Sequence, residues 1–175
     1  MISATRASAD LSAKVSFADA RRENETVVFA YVSRRIRPVE EAEDVAAQVF
    51  VDAFRSWKRL KGEPKFWLLG IARRKVCDVL RRQKRTQSLS EGDSRSSGMD
   101  GLLHAAEVRE AILIVMNLPE DQRDAFLLQI LEQMSIEEIA QVMGKSHAAV
   151  NSLLQRARAG IQTTLARRQQ EEVRS

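Results

Sequence analysis

The stretch SIEEIAQVMGKSHAAVNSLLQRAR, residues 135–158, decides how this chain folds. Ser135 followed three residues later by Glu138 matches a capping box. In it the serine hydroxyl accepts from the backbone N–H of Glu138, whose side chain reaches back to the start of the helix. Ile136, Ile139, Ala140 and Met143 then recur at helical steps, which predicts a short helix with one apolar side. Gly144 ends it, because glycine takes the left-handed conformation of a helix stop at little cost. Ser146 stands where it caps a second helix, and Val150, Leu153, Leu154, Ala157, Ile161 and Leu165 give that helix an apolar side. A short helix, a glycine turn and a longer helix make the helix-turn-helix pattern.

The solvent side of the second helix, in its first half, consists of His147, Ala148, Asn151, Ser152, Gln155 and Arg156, with Lys145 and Arg158 beside them. These residues are small or form hydrogen bonds, and they suit base edges and phosphates. The same spacing also fits an ordinary helical hairpin with a polar outer face.

Upstream, Pro119 in a first-turn position, followed by Glu120 and Asp121, starts a helix through Phe126, Leu127, Ile130 and Leu131. Val108, Ala111, Ile112, Val115 and Met116 mark another before it. Between Thr86 and Gly101 the composition turns to Ser and Gly with little to bury, which reads as a flexible linker. Beyond it, Val28, Tyr31, Val32 and Ile36 predict a helix over 24–36. A second helix carries Ala42, Val45, Ala46, Val49, Phe50, Ala53, Phe54 and Trp57 on its apolar stripe, and its acidic first turn suits the helix dipole. Gly62 and Pro64 mark a loop from Lys58 to Lys65. A third helix turns Trp67, Leu68, Ile71, Ala72, Val76, Val79 and Leu80 inward, and Arg73, Arg74, Lys75, Arg81 and Arg82 outward. The first twenty residues are polar and weakly periodic, a frayed or partly helical start.

The expected fold is therefore all-α, two small helical domains joined by a flexible linker, the second containing the helix-turn-helix. The boundaries are 1–23 for an N-terminal extension, 24–85 for the first domain, 86–102 for the linker, 103–170 for the second domain and 171–175 for a tail. A length of 175 residues accommodates this. Aromatic residues make up only 5%, so Leu, Ile, Val and Ala must build the cores, a mix that favours helices.

The net charge of +4 is distributed in blocks, with basic clusters at 73–75, 81–85 and 167–168 and acidic ones at 40–44 and 120–121. Such blocks fit one surface for a polyanion and another for a basic partner, or simply solvated helix faces. The single cysteine, Cys77, excludes an intrachain disulfide and a Cys-based metal site, and on an apolar helix side it reads as a small core residue. His104 and His147 lack partners at metal-ligand spacing, so no metal or cofactor is expected. No apolar run approaches a membrane span and no signal peptide is evident, which points to the cytoplasm. There is no phosphate-binding glycine loop and no nucleophile with an evident base, so an enzyme is not expected.

Three segments of the second half, Leu118-Pro119-Glu120-Asp121-Gln122-Arg123, Ser135 to Ala140 and Val150 to Arg158, resemble region 4 of the extracytoplasmic-function sigma factors of RNA polymerase. Ala42-Glu43-Asp44-Val45 with Val49-Phe50, Trp67 to Arg73 and Asp78 to Arg82 resemble their region 2. The resemblance spans about residues 24 to 168. It implies a transcription initiation factor that binds core polymerase, recognises two promoter elements and assists promoter opening. Contact with the upstream, minus-35 element falls on Lys145, His147, Ala148, Asn151, Ser152, Gln155 and Arg156. Contact with the downstream, minus-10 element falls on Lys58, Arg59, Lys61 and Lys65 and on Arg73, Arg74, Arg81 and Arg82. Asp44, Gln48 and Asp52 would meet the clamp of the polymerase largest subunit, with the flap as a further attachment, and an anti-sigma factor is an expected partner. Four positions depart from the family pattern: Ala47-Gln48 replaces a Gln-Glu pair, Arg74 replaces an Asn, and Leu153 stands where a basic residue is common. The competing readings are a stand-alone helix-turn-helix regulator with an N-terminal interaction domain, and a protein-interaction module with a vestigial helix-turn-helix.

Overall fold

The computed structural model describes residues 15–89 and 106–174, and every regular element among them is helical. The chain divides between Leu102 and Leu103 into two compact units.

The first unit packs α1 (Phe17–Ser33), α2 (Val39–Ser56) and α3 (Pro64–Leu89) against one another. Val28, Val32, Ile36, Ala42, Val49, Ala53, Leu68, Leu69 and Ala72 are almost wholly buried between them. Fully burying one Val or Leu side chain contributes about 1.5–3 kcal/mol, so these residues dominate the cohesion of the unit. The buried Asn24 amide donates to the carbonyl of Ala20 at 2.8 Å, so its polar group does not oppose the packing.

Helix α1 begins seven residues before the expected Asn24. Ser16 caps it by accepting from the Asp19 N–H at 3.1 Å, while its hydroxyl donates to the Asp19 carboxylate at 2.7 Å. Phe17 then seats its ring edge-to-face on Phe54, 5.2 Å away, and on Trp57, 5.3 Å away. The apolar stripe had placed Phe54 in the core, but it is 66% exposed. Each residue turns about 100° along a helix, and Phe54 lies one such step beyond the buried Ala53. Trp67, expected in the core, is half-buried and meets Trp57 edge-to-face at 5.8 Å.

The second unit contains α4 (Ala106–Met116), α5 (Glu120–Ile130), α6 (Ile136–Met143) and α7 (His147–Arg174). Helices α5, α6 and α7 enclose Ala125, Leu128, Ile139, Val142, Val150, Leu154 and Ala157, and α4 lies against α7. Arg123 is buried, and its guanidinium donates to the carbonyl of Met116 at 3.4 Å. A cation there offsets the negative end of the α4 dipole. Ile130, Leu131 and Leu165, expected on apolar sides, are exposed because they lie at or beyond the ends of the packed segments. Helix α3 continues to Leu89, four residues into the expected linker. The remainder of that linker and the first fourteen residues lie outside the described residues.

Candidate nucleic-acid interface

The turn that aims α7 is built as the local sequence dictates. Ser135 and Glu138 close a full capping box, the Ser135 N–H donating to Glu138 Oε2 at 2.8 Å and the Glu138 N–H to Ser135 Oγ at 3.2 Å. Gly144 ends α6 in the left-handed region at φ 62°, and the next N–H, of Lys145, returns to the Ala140 carbonyl at 3.1 Å. Ser146 caps α7 by accepting from the Ala149 N–H at 3.2 Å. Helix α7 then turns Val150, Leu154 and Ala157 into the core.

At the start of α7 the structure gathers all seven residues expected to meet the minus-35 element. His147, Ala148, Asn151, Gln155 and Arg156 are exposed, while Ser152 and Lys145 are half-buried at the edges. Two of the seven are held by acids of the same unit that the sequence reading left out. Lys145 Nζ lies 3.0 Å from Asp121 Oδ2 at the start of α5. His147 Nε2 lies 3.0 Å from Glu137 Oε1 at the start of α6. The Glu137 carboxyl is held below its ordinary range by a hydrogen bond from its own backbone, and then by His147 and Ser135.

In the first unit, the loop before α3 is tighter than expected. Trp57–Arg59 form a turn of 3-10 helix, and Leu60 plugs into the core. Lys58, Arg59 and Lys61 remain exposed around it. Lys65 is not a loop residue, because α3 already begins at Pro64. The basic face expected on α3 is divided. Arg74 and Arg81, seven residues apart, share a face, but Arg73 stands about 100° round the helix from Arg74 and is half-buried. Arg82 lies about 80° to the other side. Arg59 and Arg74 line a cleft of about 450 Å³ together with Asp52, Ser56, Trp67, Ile71, Lys75 and Asp78.

Asp44, Gln48 and Asp52 follow one another at four-residue steps along α2. Asp44 and Gln48 are exposed, while Asp52 is half-buried and bonded to Lys75 of α3 at 2.6 Å. Twenty-three positions separate that pair, and nothing local in the sequence signals it.

The capped turn and the exposed, hydrogen-bonding start of α7 place the second unit among helix-turn-helix domains, while the first unit is a three-helix bundle with a basic rim. Residues 21–86 match the family described as Sigma-70 region 2, and residues 109–160 match Sigma-70, region 4. The chain is 30% identical over 150 residues to the ECF RNA polymerase sigma-E factor of Escherichia coli strain K12, spanning 77% of this chain and 78% of that protein. It is 31% identical over 143 residues to a probable RNA polymerase sigma factor, RfaY, of Xanthomonas campestris. That match covers 75% of this chain but only 36% of the longer relative. Among solved structures, the sigma factor RpoE of Bartonella quintana, in complex with the anti-sigma factor NepR, shares the fold with a TM-score of 0.59 at 22% identity, covering 86% of this chain and 96% of that one. The chain belongs to the extracytoplasmic-function sigma factors of the sigma-70 family.

Proposed function

We propose that this protein is a transcription initiation factor that binds core RNA polymerase, recognises the minus-35 and minus-10 promoter elements and assists promoter opening. The observation that carries the reading is the match to regions 2 and 4 in order, with the region 4 match ending on an α7 whose exposed start holds Asn151, Gln155 and Arg156. In this reading that surface enters the major groove at the minus-35 element, where Asn and Gln pair with adenine edges and Arg with guanine or phosphate. The cations around the 57–65 turn and on the Arg74–Arg81 face hold the minus-10 strand. Asp44, Gln48 and Asp52 meet the polymerase clamp, and the flap holds the second unit. The protein acts without catalysing a reaction of its own, in the cytoplasm, where polymerase works. No helix among the described residues is long and apolar enough to cross a membrane. An anti-sigma factor is a further expected partner, as the Bartonella quintana protein has one.

Run-off transcription with core polymerase and fragmented host DNA tests this. Transcripts that require the chain and fade when Asn151 and Arg156 become Ala are the expected result. A footprint on duplex DNA by the chain alone, without transcripts, would instead favour a stand-alone regulator.

A further inference from the structure

Four potential cations stand at or beside the exposed start of α7, and their surroundings differ. Lys145 faces the Asp121 carboxylate and His147 faces the Glu137 carboxylate, each at 3.0 Å. Arg158 donates to the neutral side-chain oxygen of Gln129 at 2.7 Å, and Arg156 is exposed. Between them Ala148, Asn151, Ser152 and Gln155 carry no charge. The two acids come from the first turns of two different helices, α5 and α6. There the helix dipole favours the ionised form. They therefore present negative charge at the rim of the surface that would approach a phosphate backbone.

We propose that Asp121 and Glu137 are selectivity residues of the helix-turn-helix, which hold down its sequence-independent attraction to duplex DNA by engaging Lys145 and His147. The inference rests on the DNA-binding reading of α7 given above. Non-specific affinity comes from cations that replace condensed counterions on phosphates, and log K falls with log salt by about 0.9 per phosphate neutralised. A partly exposed Lys–Asp pair contributes only about 0–1 kcal/mol, so Lys145 can exchange its carboxylate for a phosphate. The displaced carboxylate nevertheless stays beside the incoming phosphate, and that repulsion offsets most of the gain. With the two acids in place, net attraction rests on Arg156 and Arg158, and discrimination rests on Asn151 and Gln155. Such a domain binds random duplex weakly and depends on attachment elsewhere, on polymerase and on the first unit, to occupy its site.

Binding of the full chain to a random-sequence duplex, followed by fluorescence anisotropy across about 50–200 mM salt, tests the proposal. Asp121→Asn should tighten low-salt binding by about threefold to tenfold and steepen the salt slope by about 0.9. Asp121→Glu should behave as the parent, and Lys145→Gln combined with Asp121→Asn should abolish the gain. Glu137→Gln, at a side chain more than half exposed, should shift affinity in the same direction and carries the test if Asp121→Asn lowers the melting temperature. Unchanged or weaker binding at an unchanged slope in both acid variants would overturn the proposal and leave the pairs as fasteners of the turn. Arg156→Ala separates the two readings. If it weakens binding while the acid variants do nothing, only the selectivity role fails. If it too changes neither affinity nor slope, the DNA-binding reading of α7 fails with it.

Discussion

Lys75 Nζ lies 2.6 Å from Asp52 Oδ2, and Gln48 donates to the other Asp52 oxygen at 2.9 Å. The last acid of the proposed polymerase face is therefore also a tie between α2 and α3. Its carboxyl is held below the ordinary value of 3.8, chiefly by the Lys75 hydrogen bond. A depressed acid contributes stability above its unfolded value, and that contribution is lost as pH falls through the folded one. Asp52→Asn should lower stability at pH 7 by about 0.5 kcal/mol, since a partly exposed pair is screened by solvent. The difference from the parent should close below about pH 3.8. Denaturant melts at several pH values check this, and a pH-independent difference would remove the ion pair as its cause.

Asp44 differs from Asp52 in being exposed at the surface of α2. Asp44→Ala should weaken binding to core polymerase by up to about fivefold, the scale of one exposed charge pair, with an unchanged melting temperature. Asp52→Ala should change both. Surface-immobilised core polymerase and thermal melts separate the two effects, and equal polymerase affinities for parent and Asp44→Ala would remove Asp44 from the interface.

Gly144 ends α6 at φ 62°, and a Cβ added there meets nothing within 4 Å. Gly144→Ala should therefore cost only the left-handed backbone penalty, about 1 kcal/mol. Ser135→Ala, which opens the capping box, should cost a similar amount, about 1 kcal/mol. A loss well above 2 kcal/mol in Gly144→Ala would mean that packing, and not backbone conformation, decides the position.

Asn151, Gln155 and Arg156 should separate in their effect on promoter use. Asn151→Ala and Gln155→Ala should each cost about 1–3 kcal/mol on the preferred minus-35 sequence and relax discrimination at one base pair. Arg156→Ala, if its guanidinium meets phosphate, should weaken all sequences alike and reduce the salt slope by about 0.9. Holoenzyme binding to a set of single-base promoter variants reads both quantities. Uniform losses for Asn151→Ala would sink its role in base reading.

Much of the fold was legible because it is encoded over three or four residues at a time. The box between Ser135 and Glu138, the stop at Gly144 and the cap at Ser146 stand in the structure as their local chemistry requires. The start of α1 was equally local, since Ser16 and Asp19 stand at capping spacing ahead of Phe17. There the cap, and not the weak apolar stripe, sets where the helix starts. Apolar periodicity was less informative at the ends of stripes. Ile130 and Leu165 continue the pattern but lie at or beyond the ends of the packed segments, and Phe54 stays largely exposed although Phe17 of α1 meets its ring.

The sequence by itself determined an all-helical chain with a helix-turn-helix near its C-terminus, and the side chains exposed at the start of α7, because caps, glycine stops and helical steps act within one turn. Tertiary structure alone decided which charges stand free. Asp52 meets Lys75, Asp121 meets Lys145 and Glu137 meets His147 only once separate helices pack. Coulomb attraction depends on distance in space, and spacing along a chain that turns back on itself does not reveal that distance.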